Sequence, residues 1–298
     1  MKLGSNDISS VYLGTNGVSK VYLGSTEVWS SFTGLLDTYT GAAAAYSLRL
    51  LRTAYTGSAI RVRRASDNAE QNIGFVDNEL DTTSLASFCS GTNGFVTTWY
   101  DQSGNGYDAT QSTASNQPKI YDSVSGVILE NGKPCVDFDG SNDFLNLGDI
   151  LSGESILNVF SIFNVERTGF EEIIVKGLGN VGEREYGLYG DEYLNVFDES
   201  NDTNVTLNTN ISINNQYSVY WGYDTSNAFV GLNNGTNNTA SMGSVVVQNT
   251  TSDLKFGTNV VNTSFALMTM QETIFYSSDQ SSNRSGIETN INDFYSIY

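Results

Sequence analysis

Asn158-Val-Phe-Ser-Ile-Phe163 and Tyr217-Ser-Val-Tyr-Trp221 are two of the segments that set the fold class of this chain. Both are short and rich in aromatic and β-branched residues, which favour strands. The usual turn residues Asn, Gly, Ser and Asp surround them. Similar segments recur about every ten to twenty residues, which predicts an all-β protein with a β-sandwich or jelly-roll architecture. The other predicted strands cover residues 60–64, 94–100, 134–138, 173–175, 193–197, 228–232, 254–256 and 271–276.

The composition excludes several classes of function. The chain has 298 residues, with 14 Lys and Arg against 33 Asp and Glu, a net charge of −19. This charge predicts that the protein neither binds nucleic acid nor inserts into anionic membranes. The absence of histidine excludes Ser-His-Asp and Cys-His nucleophile systems and His-ligated metal sites. Cys89 and Cys135 are too few for a disulfide framework, and their pairing cannot be read from the sequence.

A few accessory helices are predicted around the strands. Residues 41–52 are rich in Ala and Leu and predict a helix. Residues 81–89 predict a short helix with a cap at Asp81 or Thr82, and residues 285–298 carry an apolar stripe at helical spacing. We expect five arginines to pair with carboxylates such as Asp67, Glu70 or Asp101 and to brace the first helix. These arginines are Arg49, Arg52, Arg61, Arg63 and Arg64.

The first thirty residues contain a repeat with a period of ten. Leu3, Leu13 and Leu23 occupy equivalent positions, each followed by a glycine. Each unit predicts a short strand, a turn and a second short strand, and three such units cannot bury a core alone. We therefore predict an attachment or assembly module over residues 1–31 and a sandwich domain over 32–298. The alternative is that residues 1–31 form a β-meander that packs on the sandwich domain of the same chain.

Two segments carry a resemblance to a known family. They are Ala45-Tyr-Ser-Leu-Arg-Leu-Leu-Arg52, continuing to Arg64, and Trp99-Tyr-Asp-Gln-Ser-Gly-Asn-Gly-Tyr-Asp108. They resemble the catalytic-domain family of fungal α-L-arabinofuranosidase B, which implies a concanavalin A-like β-sandwich. The second half of the chain also resembles laminin-G-like modules. The N-terminal repeat followed by this domain resembles the layout of proteins from tailed bacteriophages.

The resemblance also implies positions for two catalytic groups. A retaining glycosidase needs a nucleophilic carboxylate and an acid/base carboxyl. Val196-Phe-Asp-Glu-Ser-Asn201 matches the family's nucleophile stretch, which makes Glu199 the counterpart of the nucleophile. Asn259 stands at the counterpart of the acid/base position, and an amide has no ionisable proton to donate. The family's adjacent cysteine pair is also missing, so these departures predict a protein without catalytic activity.

Two further groups of residues are candidate binding sites. Asp101, Asn105 and Asp108 lie in a glycine-rich turn that offers oxygen ligands to Ca²⁺, and the alternative is a loop in which these side chains bind the loop's own backbone amides. No other cofactor is expected. Alternation predicts that Tyr220 and Trp221 face opposite sides of a sheet. Aromatic residues that could stack on sugars are Tyr186, Tyr189, Tyr193, Trp221 and Tyr223.

These observations predict a non-enzymatic structural or appendage protein of a phage virion, located on the particle and assembled in the host cytoplasm. The repeat would bind other virion proteins or form a homo-oligomer, and the sandwich would face outward, with cell-surface glycans as candidate ligands. The first alternative is an arabinofuranosidase-type glycoside hydrolase with Glu199 as nucleophile and Asp198 or Glu272 as acid. The second is a secreted lectin-like adhesin, which the lack of an apolar signal segment after Met1 disfavours.

Overall fold

A computed structural model describes the chain except residues 1, 4, 5, 9, 19, 170, 178–184, 191–192, 198–203, 209–210, 244 and 260, and except the side chains of 2, 3, 6, 7, 27, 29, 30, 193 and 204. The helices are α1 (Leu35–Thr38), α2 (Thr82–Phe88) and α3 (Arg284–Tyr295), with a 3₁₀ turn at Ala114–Asn116. The strands are β1 (Lys2–Leu3), β2 (Asn6–Asp7), β3 (Val11–Leu13), β4 (Asn16–Val18), β5 (Lys20–Leu23), β6 (Thr26–Ser30), β7 (Ala44–Ser47), β8 (Ile60–Arg64), β9 (Glu70–Ile73), β10 (Phe75–Val76), β11 (Glu79–Leu80), β12 (Gly94–Trp99), β13 (Ala109–Thr110), β14 (Lys119–Asp122), β15 (Gly126–Val127), β16 (Leu129–Glu130), β17 (Lys133–Pro134), β18 (Val136–Asp139), β19 (Leu145–Gly148), β20 (Leu157–Val165), β21 (Glu172–Lys176), β22 (Tyr186–Tyr189), β23 (Tyr193–Phe197), β24 (Asn204–Asn208), β25 (Gln216–Tyr223), β26 (Asn227–Leu232), β27 (Asn238–Ser241), β28 (Leu254–Phe256) and β29 (Leu267–Tyr276).

The strands from β7 onward, except the separate hairpins β10-β11 and β16-β17, form a continuous antiparallel sheet that folds into two layers. The first layer runs β27-β26-β25-β20-β29, and both β7 and β18 pair with the far edge of β29. The second layer runs β24-β23-β22-β21-β28-β19-β13, and β12 connects it to β8 and β14. This architecture confirms the predicted all-β sandwich.

The main hydrophobic core lies between the two layers. Trp221 of β25 and Tyr186 of β22 meet there with ring centroids 6.3 Å apart, and Trp99 and Phe256 pack further along. Tyr220, the neighbour of Trp221, belongs to a second cluster on the opposite side of the first layer. The predicted alternation of these two residues is therefore confirmed, and alternation is what divides the aromatic residues between the two clusters.

Helix α3 covers the outer side of the first layer, as predicted from its apolar stripe. Ile287, Ile291 and Tyr295 are buried against Tyr220 and Ile274 of that layer. The short helix α2 is also confirmed, and the Asp81 side chain caps it by accepting a hydrogen bond from the Ser84 backbone amide. No helix among the described residues is long and apolar enough to cross a bilayer.

The helix predicted over residues 41–52 is wrong. Its centre is strand β7, whose four residues are all buried and pair with Glu272–Phe275 of β29. Alanine favours helices only weakly, and the strand pairing and burial on both faces outweigh that preference here. The predicted arginine pairing is confirmed for Arg64 with Asp67 and for Arg61 with Glu70.

The N-terminal repeat forms three separate hairpins. Strands β1 and β2, β3 and β4, and β5 and β6 pair as two-stranded sheets, in agreement with the predicted strand, turn and strand of each unit. Gly14 and Gly24 occupy the turns with φ of +65°, a conformation that favours glycine. The division into a module over 1–31 and a domain over 32–298 stays a prediction. Cys89 and Cys135 are both buried free thiols.

Candidate active site

The outer face of the second layer carries a buried group of polar side chains. Ile174, Leu188 and Phe256 pair with one another across β21, β22 and β28 and point into the core. Because side chains alternate along a strand, the residues next to them point to the opposite side. Tyr189 and Lys255 therefore lie on this outer face, where they are buried all the same.

Glu172 places a buried carboxyl group on this outer face. It pairs with Tyr189 across β21 and β22, and its side chain is only 3% exposed. Its Oε2 atom is buried and has no hydrogen-bond partner among the described residues. Burial raises the pKa of Glu172 above its ordinary value, although polar contacts with Ser264 and Asn259 partly oppose the shift. The structure thus holds a buried carboxyl whose pKa is raised and whose Oε2 has no hydrogen-bond partner among the described residues.

Asn259 belongs to the loop that lies against Glu172. Its side-chain oxygen accepts a hydrogen bond from the Thr263 backbone amide at 3.0 Å, and its Nδ2 donates to the Thr263 hydroxyl at 3.1 Å. In the same loop Asn262 accepts a hydrogen bond from Lys255 at 2.8 Å. Burial lowers the pKa of Lys255. The amide at position 259 therefore stabilises a turn, and the nearby titratable acid is Glu172.

Two of the predicted catalytic residues lie outside the described residues. Strand β23 ends at Phe197, and both Asp198 and Glu199 follow it directly. Phe197 is tied to the neighbouring segments, because its backbone amide donates to the Glu185 carbonyl and its carbonyl accepts from Gln248. Strand β23 of the second layer thus ends at a residue whose backbone is hydrogen-bonded on both sides.

Glu272, the other predicted acid, lies elsewhere. It is fully buried on β29 in an ion pair with Arg49, on the side of the first layer that α3 covers. Its Oε2 also accepts a hydrogen bond from the Ser47 hydroxyl at 2.7 Å. The Glu272 carboxylate is paired with a permanently charged guanidinium and is covered by helix α3, so it has no access to a substrate. The structure therefore excludes Glu272 as the acid.

Most of the predicted sugar-stacking residues are core residues. Tyr186, Trp221 and Tyr223 have no exposed surface and pack between the two layers. A ring enclosed between two sheets cannot stack on a sugar, so the structure corrects this prediction for all three. Tyr189 is on the outer face, where its phenol lies over Gly187 and a Cβ at position 187 would come within 2.6 Å of it. The side chain of Tyr193 lies outside the described residues.

The Asp101–Asp108 turn is held by its own side chains. Asp101 accepts hydrogen bonds from the backbone amides of Ala45, Ser103 and Tyr107 at 2.8–3.1 Å and from the Ser103 hydroxyl at 2.7 Å. Asp108 accepts from the Asp101 amide. These contacts match the predicted alternative in which the side chains bind the backbone. The side-chain amide of Asn105 donates a hydrogen bond to the Ala43 carbonyl. Among the described residues, no group of three or more acidic or Cys side chains is placed to hold a metal ion.

The same turn lines an open cavity of about 570 Å³. Arg52 and Glu154 face this cavity together with Ser103 and Tyr107. Burial raises the pKa of Glu154. Among the described residues that line the cavity, Glu154 is the one carboxyl, whereas glycoside hydrolysis requires a pair of carboxyl groups.

Sequence comparison connects residues 37–133, about a third of the chain, to a glycosidase family. Residues 37–133 match the family model described as alpha-L-arabinofuranosidase B, catalytic. Alpha-L-arabinofuranosidase B of Emericella nidulans is 36% identical over 92 residues, which are 29% of this chain and 18% of that protein. A probable alpha-L-arabinofuranosidase B of Aspergillus flavus is 28% identical over 200 residues, or 62% of this chain and 35% of that protein. The chain thus spans between a fifth and about a third of the length of these relatives.

The fold of the chain is similar to those of solved arabinofuranosidase structures. An arabinofuranosidase complexed with arabinofuranosyl-alpha-1,2-xylobiose aligns with a TM-score of 0.62 and 17% identity, covering 84% of this chain and 62% of that chain. A GH54 arabinofuranosidase soaked with a cyclic sulfate inhibitor aligns with a TM-score of 0.64 and 16% identity, covering 86% and 64%. At these identities the likeness establishes the shared sandwich fold.

These findings overturn the prediction of a non-enzymatic phage virion appendage. The matching relatives are named as arabinofuranosidases, and solved structures that align with TM-scores of 0.62 and 0.64 are also arabinofuranosidases. The virion localisation and the assignment as a head or tail fibre are wrong for the same reason. That prediction rested in part on the amide at position 259, and the structure shows that a further carboxyl, Glu172, contacts that amide.

Proposed function

We propose that this protein is a glycoside hydrolase that removes terminal α-L-arabinofuranosyl residues. The observation that carries the proposal is the protonatable Glu172 carboxyl, with its free Oε2, on the outer face of a sandwich like those of arabinofuranosidases. The family-model match over residues 37–133 supports the same class. The family-model match ends at residue 133, so the role of Glu172 rests on its position and its chemistry.

Hydrolysis with retention needs a nucleophile and a proton donor about 5–5.5 Å apart. We assign the nucleophile to Glu199, from its place in Val196-Phe-Asp-Glu-Ser-Asn201 after β23. We assign the donor to Glu172, because Asn259 has no proton to give and Glu172 contacts it from the adjoining strand. The proton would pass from Glu172 to the glycosidic oxygen as the Glu199 carboxylate bonds to the anomeric carbon. The deprotonated Glu172 would then activate the water that releases arabinose.

The environment of Glu172 suits a proton donor. A general acid works best when its pKa lies near the working pH, and burial of a carboxyl is one way to raise it. Glu172 is 3% exposed, and the carboxylate of the adjacent residue Glu171 is ion-paired with Arg167 at 2.6 Å. Burial therefore dominates the shift of the Glu172 pKa, and the charge of Glu171 adds a smaller upward contribution.

The proposal is tested by hydrolysis of 4-nitrophenyl α-L-arabinofuranoside by the full chain. We expect release of 4-nitrophenol by the wild type, a loss of about a thousandfold or more in Glu199→Gln, and no change in the control Glu70→Gln. Glu70 is a suitable control because it lies on β9 in an exposed ion pair with Arg61. Absence of turnover in the wild type, or turnover that survives Glu199→Gln, would contradict the proposal.

A further inference from the structure

The open cavity beside the Asp101–Asp108 turn is bordered by several separate segments of the chain. Its volume is about 570 Å³, and its described lining includes residues 40–43, 103–107 and 150–154. Small-ligand sites typically have volumes of about 300–1,000 Å³. The hydrogen bonds that Asp101 accepts from the backbone amides of Ser103 and Tyr107 fix one wall. The cavity is therefore large enough and ordered enough to hold a small ligand.

Arg52 brings a positive charge to this cavity without a carboxylate partner. Its Nη1 donates to the Ser103 carbonyl at 2.7 Å, and no described carboxylate lies within ion-pair distance of the guanidinium. Asp37, whose charge interacts with that of Arg52, accepts hydrogen bonds from the backbone amides of Gly34 and Thr53. Because a guanidinium has five N–H donors, Arg52 keeps donors for a ligand.

Glu154 brings the opposite charge to the same cavity. Its side chain is half-buried, and it forms no hydrogen bond or ion pair with any described residue, Arg52 included. Burial raises the pKa of Glu154, and no described cation opposes that shift. Both oxygens of this carboxyl can therefore accept hydrogen bonds from a ligand.

The two opposite charges determine which ligand chemistry fits. An anion is attracted by Arg52 and repelled by Glu154, and a cation meets the reverse. A neutral polyhydroxylated molecule suits both, because each hydroxyl can accept a hydrogen bond from the guanidinium or donate one to the carboxylate. Tyr107, which is 44% exposed and lines the cavity, adds an aromatic ring on which a sugar can stack.

We propose that this cavity is a binding site for a neutral saccharide, separate from the candidate active site. Arg52 donates to one hydroxyl of the sugar, Glu154 accepts from another, and the Tyr107 ring stacks on the sugar face. With one carboxyl among its described lining residues, the cavity holds the saccharide without cleaving it.

The two sites lie near opposite ends of strand β29. Ser277 of the cavity follows the last residue of this ten-residue strand, which spans about 30 Å. At the other end, the Leu267 amide donates to the carboxylate of Glu171, the neighbour of Glu172. The inference therefore does not rest on the proposed hydrolysis, and binding at the cavity can be measured apart from it.

Isothermal titration calorimetry of the full chain with xylopentaose, cellopentaose and mannopentaose tests the inference. These neutral probes carry no arabinofuranosyl group, so the proposed hydrolysis does not consume them. We expect a dissociation constant of about 1 mM or below for at least one probe. Loss of a charged hydrogen-bond partner in Glu154→Ala should weaken binding by about tenfold or more, and loss of stacking in Tyr107→Ala by about fivefold.

The matched control is Glu70→Gln, which changes an exposed carboxylate on β9 and should leave the binding unchanged. Thermal unfolding shows that each variant is folded, and we expect little change for Glu154→Ala because this carboxyl has no partner among the described residues. Absence of binding for all three probes up to about 10 mM would overturn the inference. Binding that is unchanged in both cavity variants would overturn it too.

Two further titrations separate the alternatives. Saccharide binding that is lost in Glu172→Gln and kept in the cavity variants would place the sugar on the outer face and overturn the inference. Glycine offers a carboxylate to Arg52 and an ammonium group to Glu154. Glycine that binds the wild type more weakly in Glu154→Ala, without binding of any saccharide, would assign the cavity to amino acids and would also overturn the inference.

Discussion

Arg49 and Glu272 form a two-pronged ion pair in the interior of the protein. Arg49 Nε donates to Glu272 Oε2 at 2.8 Å, and Arg49 Nη2 donates to Oε1 at 3.0 Å. The pair joins the segment after β7 to β29, beneath α3, which supplies Asn290 as a further acceptor for Arg49. Removing one partner of a buried pair leaves the other charge without compensation, which costs much more than the pair contributes.

The first prediction concerns the stability of this pair. Arg49→Met keeps much of the side-chain volume but leaves the Glu272 carboxylate buried without its partner. We expect the free energy of unfolding to fall by about 3–5 kcal/mol in urea titrations. The control Arg61→Met breaks the exposed pair with Glu70 and should cost at most about 1 kcal/mol. Equal effects of the two substitutions would show that Arg49 has no special role in joining α3 to the sandwich.

The second prediction concerns the turn that Asp101 organises. Asp101→Ala removes the acceptor for three backbone amides and one hydroxyl, including the Ala45 amide of β7. Buried donors left without acceptors are costly, so we expect a loss of about 3 kcal/mol or more in the free energy of unfolding. Asp67→Ala, an exposed carboxylate, is the control and should cost about 1 kcal/mol or less.

The third prediction concerns calcium and the same turn. Both oxygens of Asp101 already accept hydrogen bonds from the protein, so an ion would have to displace them. We therefore expect the melting temperature to be the same in EDTA and in millimolar CaCl₂. A melting temperature that falls in EDTA and recovers when Ca²⁺ is added would instead establish a calcium site in the chain, and Asp101→Ala would show whether it lies in this turn.

The fourth prediction concerns the pH dependence of stability. Burial, with the nearby charge of Asp139, raises the pKa of Asp143 from 3.8 to about 7. The folded state therefore holds this proton at pH values where the unfolded state has lost it, and stability falls as the pH rises from about 4 to about 7. Asp143→Asn can still accept the hydrogen bond from the Asp139 amide. We expect its melting temperature to fall less than that of the wild type between pH 5 and pH 8, and equal slopes would exclude Asp143 as the titrating group.

The strands and α3 could be predicted because buried residues recur along the sequence at the spacing of a strand or of a helix. The alternation that separates Tyr220 from Trp221 is one example, and the stripe of Ile287 and Ile291 is another. Strand β7 was missed because its register is set by β29, more than 200 residues later in the chain. Local propensity cannot report a pairing over that distance.

The proposed acid of the candidate site could not be predicted from the sequence for a related reason. Glu172 looks like an ordinary charged residue beside Glu171, and only the fold places it against Asn259 with a buried, unpartnered oxygen. The sugar-stacking role of the aromatic residues could not be judged from the sequence either. Tyr186 and Tyr223 carry polar hydroxyl groups, yet both pack in the core of the sandwich. Alternation predicts that Tyr186 and Tyr189 face opposite sides of β22, but which of the two faces the core depends on how that strand pairs with its neighbours.

The leaving-group dependence of Glu172→Gln tests the central claim most directly. A proton donor matters little when the leaving group is 4-nitrophenolate, which departs without a proton, and matters greatly when it is a sugar hydroxyl. We predict that Glu172→Gln lowers kcat/KM by roughly a hundredfold or more on arabinofuranosyl-xylobiose and by about tenfold or less on 4-nitrophenyl α-L-arabinofuranoside. An equal loss on both substrates, or no loss on the disaccharide-linked substrate, would contradict the assignment of Glu172 as the acid.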